Sequence, residues 1–331
     1  QDTIERSRPK ILVTDTAHAE RLAEVQQDIP GIQLVALGNS LDLNGAIDFE
    51  SLFIAGADEP DMSEFGYGDT CAVLWTSGTT GKSKGVMQSH NVWFNSCMSA
   101  TNQYETGDGD VIFCVLPMYN SAAWVTSLFR ALLVGVPLAI DTSFSVSNFW
   151  ERVKYYGATQ IFTLGAMHMF LWNAPEKPDD ADNSLNKIMA VPMPTDIVQP
   201  FSERFNVQVL GQGMSQSEAM MIVNQAKGSP DQWPAGSCGS PTDLVEVKLM
   251  DDDGNEVGIG EHGECWVKPT QPFAIFNGYF DSPDATAAAY EGDWYKTGDL
   301  LKRDENNVFY FVDRKKDAVR FKGRNISTFE V

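Results

Sequence analysis

Residues 75–85 read Trp75-Thr76-Ser77-Gly78-Thr79-Thr80-Gly81-Lys82-Ser83-Lys84-Gly85 and come directly after the apolar run Cys71-Ala72-Val73-Leu74. The apolar run predicts a strand entering a turn. The turn holds glycines, hydroxyl side chains and two lysines, and neither an acid nor a bulky apolar residue after Trp75. Glycine lets backbone N–H groups approach an oxyanion closely, and successive N–H groups in such a loop form an anion-binding concavity. A phosphate chain is the guest this composition predicts. The spacing is not that of a Walker loop, because G-x-x-x-x-G-K-[ST] counted back from Gly81-Lys82-Ser83 puts its first glycine at Thr76. A solvated Gly/Ser linker is the plainer reading. It fits poorly between an apolar strand and Val86-Met87.

Length and composition set the frame. The 331 residues suffice for about two domains or lobes. A net charge of −21 argues against nucleic acid or an anionic membrane surface as partner. It also makes the lysines of the loop a local concentration of positive charge in an acidic chain. The five cysteines, Cys71, Cys97, Cys114, Cys238 and Cys265, are scattered without metal-ligand spacing and read as reduced core thiols. No apolar run is long enough to span a bilayer. The cytoplasm is the expected compartment, and homo-oligomerisation is left open.

Along the chain, strands are predicted at 10–14, 33–37, 111–116, 136–140, 159–163, 187–191 and 207–210. Helices are predicted between them at 16–28, 91–103, 121–134, 145–156, 165–172 and 196–205, with a short one at 48–55. In the 121–134 helix, Trp124, Leu128 and Leu132 share one face. This alternation predicts an α/β fold, parallel sheets covered by helices, over residues 1–235. From 236 to 313 the pattern becomes alternating strands at 244–250, 263–267 and 308–312, with a helix at 281–290. That predicts an antiparallel β subdomain. Residues 314–331 read as a hinge and the start of a further domain.

Four more stretches test the loop. Gly211-Gln212-Gly213-Met214-Ser215-Gln216 comes after a predicted strand, with Glu218 just beyond. Tyr295-Lys296-Thr297-Gly298-Asp299 offers a carboxylate that can accept from both hydroxyls of a vicinal diol. Asp313-Arg314-Lys315-Lys316-Asp317 is a charged run that alone would read as a solvated turn. Pro117-Met118-Tyr119-Asn120 ends the central predicted strand.

With T-S-G-T-T-G-K-S-K-G, these stretches resemble the motifs of the AMP-forming adenylate enzymes: acyl-CoA synthetases, luciferases and adenylation domains. Phe144 to Trp150, with Gly157-Ala158-Thr159 and Gly165-Ala166-Met167, looks most like the crotonobetaine/carnitine–CoA ligase-like branch. The resemblance implies ATP, Mg²⁺ and coenzyme A, and a carboxylic acid as substrate, with fatty acid metabolism as a setting. It implies that Thr76, Ser77, Gly78, Thr79, Thr80, Gly81 and Lys84 hold the β- and γ-phosphates. Gly211, Gln212, Gly213 and Met214 would flank the adenine, Ser215 would reach the α-phosphate, and Asp299 and Arg314 would hold the ribose. Tyr119, Asn120, Trp124 and Met167 would line the acid pocket, and Lys316 would be the hinge pivot.

The chain departs from the pattern at Ser83, in place of a proline, and at Gln212, Ser215 and Gln216, in place of an aromatic, a threonine and a glutamate. Gln216 offers a neutral carbonyl where relatives offer a hard anionic metal ligand, and Glu218 is the residue that could compensate. Asn120 cannot supply the charge with which amino-acid-activating relatives pair an ammonium group. The expected function is an AMP-forming acid:CoA ligase, with both ends shortened relative to the family. A catalytically weakened nucleotide-binding or scaffold homologue and a carrier-loading adenylation domain are the alternatives.

Overall fold

A computed structural model describes residues 2–18, 22, 31–38, 45–54, 56–76, 83–225, 232–315, 319–321 and 324–326. Ser77, Gly78, Thr79, Thr80 and Gly81 of the glycine-rich loop, and Lys316, lie outside the described residues. The chain divides into two compact units, residues 1–66 with 81–83, and residues 67–80 with 84–331.

The first unit carries a parallel three-stranded sheet of Ile11–Asp15, Gln33–Leu37 and Ile47–Asp48. Of the helix predicted at 16–28, the described part is a 3₁₀ turn, Thr16–His18. The one predicted at 48–55 is likewise a 3₁₀ turn, Phe49–Leu52.

In the second unit the central feature is a five-stranded, all-parallel sheet. Its order is Gln208–Val209, Lys187–Val191, Gln160–Leu164, Ile112–Cys114, Leu138–Ile140. Ile112–Cys114 and Leu138–Ile140 are short apolar runs, and Gln160–Leu164 and Lys187–Val191 are buried along their middles, as a sheet covered on both faces requires. Because successive side chains point to opposite faces, Phe113, Ile161, Ile188 and Val209 enter one core with Phe149, Phe201 and Phe205. Their next neighbours Cys114, Phe162, Met189 and Leu210 enter a second core with Tyr104. Since all five strands run the same way, the segments that leave them at 115–120, 165–167, 192–194 and 211–214 gather at one end of the sheet. That carboxyl edge is where open α/β sheets bind ligands.

Antiparallel pairing starts earlier than the predicted boundary at 235. Gly213–Met214, Val223–Asn224 and Ser240–Pro241 form a three-stranded antiparallel sheet. Its Met214 and Val223 share a core with Val245, Leu249, Cys265, Leu301 and Phe309 of the larger antiparallel sheet. That sheet contains Val245–Met250, Gly263–Pro269, Trp294–Arg303 and Phe309–Arg314, with Tyr290–Glu291 beside Trp294–Arg303. The predicted helix at 281–290 shrinks to Pro283–Ala288, because Tyr290 joins this sheet and stacks on Phe276. The strand before the glycine-rich loop is Thr70–Thr76, paired antiparallel with Lys84–Ser89. Cys71 in it is exposed, so the expectation of a core thiol fails there, whereas Cys97, Cys114 and Cys265 are buried.

The predicted 121–134 helix forms with one irregularity. Ser121–Ala123 is α-helical, Trp124–Leu128 is a π turn whose bond runs from Phe129 N–H to the Trp124 carbonyl, and Phe129–Val134 is α-helical again. An extra residue in a turn rotates the rest of the helix by about 100°. Leu132, expected on the Trp124 face, is consequently 68% exposed, and Arg130 faces the interior. Arg130 is fully buried, its guanidinium 3.7 Å from the Tyr104 ring centroid. None of its three nitrogens has a hydrogen-bond partner among the described residues. Burial holds its pKa below the usual arginine range. A buried, unbonded cation costs more than the ring contact returns. Arg130→Leu is therefore expected to stabilise the fold by about 1–3 kcal/mol in urea unfolding. An unchanged or lowered midpoint would show that the guanidinium is satisfied.

Candidate nucleotide-binding site

Asp299 lies in the middle of Trp294–Arg303, opposite Arg314 on the neighbouring strand. It is 5% exposed. Its surroundings are built almost entirely from the Tyr295-to-Asp299 stretch and the strands beside it. Asp299 N–H donates to Thr297 Oγ1 at 3.1 Å, and Thr297 Oγ1 donates to the Cys265 carbonyl at 2.7 Å. Gly298 N–H donates to Glu264 Oε1 at 3.2 Å. The other Glu264 oxygen accepts from Lys315 Nζ at 2.8 Å, and Lys315 N–H donates to the Gly298 carbonyl at 2.8 Å. The backbone turn at Gly298 is thereby held from both sides. Arg314 Nε stands 3.8 Å from Asp299 Oδ1, its own side chain 59% exposed.

The second component arrives from the 213–216 turn. Gln216 Nε2 donates to Asp299 Oδ2 at 2.5 Å and to the Thr297 carbonyl at 2.8 Å, while Tyr295 OH donates to Gln216 Oε1 at 3.1 Å. Burial is the main force on the Asp299 carboxyl and lifts its pKa to about 6; the Gln216 bond and Arg314 pull the other way, and Glu218 and Glu264 add to the rise. Next along, Tyr279 OH donates to Glu218 Oε1 at 2.8 Å. Burial, then Glu218, pushes the Tyr279 phenol upward, and Tyr295 is raised by the same two causes in the same order. Lys84 Nζ sits 4.6 Å from the Tyr279 ring centroid. Tyr279 is brought there because 277–280 runs along the strand that leaves the glycine-rich loop: Phe280 N–H donates to the Gly85 carbonyl at 2.7 Å and Met87 N–H to the Gly278 carbonyl at 3.0 Å. Lys84, Gln216, Glu218, Asp299 and Arg314, drawn from separate stretches of the sequence, thus form one connected cluster. The two tyrosines that join them, Tyr279 and Tyr295, were given no role by the sequence.

The turn at 211–214 is rigid for a packing reason. A Cβ on Gly211 would stand 2.6 Å from the Gln225 carbonyl oxygen. Gly213 pairs with Asn224. Gln212 N–H donates to Gln225 Oε1, and its own side chain makes a reciprocal pair with the Met193 backbone, both bonds 2.9 Å. The amide that replaces an aromatic thus ties together two segments leaving the parallel sheet. Met214 is buried in the core, whereas Ser215 is exposed. Thr76 Oγ1 donates to the Lys84 carbonyl at 3.4 Å and closes the base of the loop hairpin.

Among the four residues expected to line an acid pocket, Asn120, Trp124 and Met167 each have partners of their own. Tyr119 is 85% exposed. Asn120 caps the helix that starts at Ser121, its side chain accepting from Ala122 N–H at 2.9 Å. Trp124 packs against Trp93 and Phe129 and donates to the Met118 carbonyl at 2.5 Å. Met167 lies against the two faces of the parallel sheet. A cavity of about 280 Å³ does open beyond the Ile112–Cys114 and Leu138–Ile140 strands, but it is lined by Asp141, Arg152 and Asn148 among others and by none of these four.

Mg²⁺, which the resemblance implies, meets no preformed cage of protein oxygens among the described residues. Its ligands are hard oxygens in near-octahedral array. The Gln216 carbonyl oxygen is bonded to Tyr295 and one Glu218 oxygen to Tyr279. Among the described residues no group of three or more His, Cys, Asp or Glu could hold a metal.

Known proteins give the same picture at the level of the family. The chain is 29% identical over 338 residues to the crotonobetaine/carnitine–CoA ligase of Salmonella arizonae, covering 99% of this chain and 64% of that one. It spans only that fraction of the curated relatives it matches. The structure resembles the O-succinylbenzoate coenzyme A synthetase of Bacillus subtilis in complex with ATP and magnesium ion, with TM-score 0.79 and 25% identity, covering all of this chain and 64% of that one. Its fold is also that of apo MatB from Rhodopseudomonas palustris, at TM-score 0.81 and 22% identity over 98% of this chain and 63% of that one. The family model for AMP-binding enzymes matches residues 1–280, up to the Gly278-Tyr279-Phe280 segment that packs on the loop hairpin, and the chain belongs to the AMP-binding enzyme family.

Proposed function

We propose that this chain carries the nucleotide-binding and acid-activating part of an AMP-forming acid:CoA ligase. A carboxylate oxygen of the acid attacks the α-phosphorus of ATP, the bond to pyrophosphate breaks, and an acyl-adenylate forms. The thiolate of coenzyme A then attacks the acyl carbon and AMP leaves. The observation that carries this reading is the junction of Gln216, Asp299 and Arg314, which joins the 213–216 turn to the ribose carboxylate. The protein's part in the first step is positioning and charge neutralisation. Lys84, with Thr76, Ser77, Gly78, Thr79, Thr80 and Gly81, takes the β- and γ-phosphates. Ser215, exposed beside Gln216, reaches the α-phosphate. Asp299 and Arg314 take the ribose, and the backbone at 211–214 takes the adenine.

The acid enters at the carboxyl edge of the parallel sheet, where Tyr119, Asn120, Trp124 and Met167 belong to segments that leave neighbouring strands. Lys316 is the pivot toward the region that relatives carry beyond it. Relatives named for crotonobetaine and carnitine support a small carboxylic acid as substrate. A cytoplasmic setting is part of the proposal, and no helix of the described residues is long and apolar enough to cross a membrane.

ATP–pyrophosphate exchange by the full-length protein over betaine, aryl and fatty acids tests the reading. Exchange with at least one acid is expected. A second reading, a nucleotide-binding homologue that activates no acid, is favoured by the engagement of Asn120 as a helix cap and of the Gln216 carbonyl by Tyr295. AMP binding without exchange for any acid would select it.

A further inference from the structure

The side chain of Gln216 is oriented without ambiguity. Its Nε2 faces two acceptors, the Asp299 carboxylate and the Thr297 carbonyl, and its Oε1 faces a hydroxyl donor, Tyr295. Turning the amide over would set its oxygen against two oxygens, so the hydrogen-bond chemistry decides which atom is which. The group directed at Asp299 is therefore an N–H donor, which cannot ligate a cation. The oxygen that could ligate one is turned to a phenol proton instead. Glu218, the compensating carboxylate the sequence suggests, is engaged by Tyr279 OH. The Tyr279 and Tyr295 phenols thus take up one oxygen from each of the two side chains expected to meet a metal.

We propose that Gln216 is a positioning residue: a strut that fixes one oxygen of the Asp299 carboxylate, leaves the other to a nucleotide's diol, and holds no divalent cation. This rests on the nucleotide reading above for the diol and on the hydrogen-bond geometry alone for the cation. A glutamate at this position would be a different device. It would set a third carboxylate beside Asp299 and Glu218, where like charges repel unless a cation is recruited between them.

Two measurements on the full chain test the proposal. In the first, Mn²⁺ standing in for Mg²⁺ is titrated without nucleotide and monitored by electron paramagnetic resonance. Gln216→Glu is expected to take up one ion per chain at concentrations where the wild type takes up none. A wild-type ion that is released in Gln216→Leu would overturn the cation half. In the second, affinities for AMP and for 2′,3′-dideoxy-AMP are compared in EDTA. Gln216→Leu is expected to weaken AMP by about 10-fold and the dideoxy analogue by less than about 2-fold, because only AMP offers the diol. A fold defect would weaken both alike, and equal losses would overturn the strut. A wild type that binds no AMP would bring down the nucleotide reading and the diol half with it, while the Mn²⁺ titration decides the cation half by itself.

Discussion

Asp299→Asn is expected to weaken AMP binding by about 100-fold with the fold intact. Hydrogen bonds to a charged group contribute about 1.5–3 kcal/mol each, and 1.4 kcal/mol is tenfold in affinity. The amide loses the charge that Arg314 faces at 3.8 Å, and it has a single acceptor oxygen where Gln216 and the diol each need one. An Asn NH₂ directed at Gln216 Nε2 would also set donor against donor. Isothermal titration with AMP, alongside far-ultraviolet circular dichroism, checks this. A loss below about 3-fold would remove Asp299 from the diol.

The raised carboxyl pKa adds a pH signature with two opposite signs. Asp299 titrates near 6 in the folded chain against an ordinary value of 3.8. Diol binding needs the ionised form, so AMP affinity should rise with pH through about 6 and then level. The nucleotide-free fold behaves the other way. A folded pKa above the unfolded one means that the folded state holds the proton more tightly. The stability from this group is therefore fully present below the unfolded value and is lost as pH rises through the folded one. Urea unfolding and AMP titration across pH 4.5 to 7.5 should run in opposite directions for the wild type. In Asp299→Asn both slopes should flatten, and their survival would assign them to other groups.

Gly239→Ala is expected to cost the fold at least about 4 kcal/mol, among the largest effects a single methyl can have. Gly239 has φ +95°, and a Cβ there would stand 1.9 Å from the Asn224 carbonyl oxygen and 2.0 Å from its carbon. Both obstacles are backbone, so no rotamer relieves them. The Val223–Asn224 strand would have to move, and with it the next residue Gln225, whose N–H donates to the Gln212 carbonyl at 2.7 Å and whose side chain accepts from Gln212 N–H. Across the same glycine, Phe309 N–H donates to the Gly239 carbonyl at 2.8 Å. Loss of stability should therefore come with loss of AMP affinity in whatever fraction remains folded. Urea unfolding reads the first, and a cost below about 1 kcal/mol would mean the backbone yields there.

Much of this was legible in the sequence because it is local. Strands buried on both faces read as apolar runs, so 187–191 was located to the residue and its neighbours to within one or two. Asp299, Arg314 and the 211–216 turn were recognised because short motifs carry their own spacing. The failures are tertiary. Periodicity put Leu132 inward and gave Arg130 no place in the core, because a single π turn, invisible to a 3.6-residue count, rotates the helix after Leu128. Nor could analogy of position, which assigned four residues to an acid pocket, show that Asn120 caps a helix and that Trp124 packs in an aromatic cluster.

The sequence alone therefore determined the family, the α/β and antiparallel halves, and the set of residues proposed for a nucleotide site. Only the tertiary structure decided how that set is wired. Gln216 and Asp299 are 83 residues apart, and no local pattern specifies that an amide just beyond one sheet will meet a carboxylate in another. Whether Gln216 is a weakened metal ligand or a strut depends on which of its two amide atoms faces Asp299. That is settled by Tyr295 and Thr297, whose side chain and backbone reach it only once the antiparallel sheet has formed.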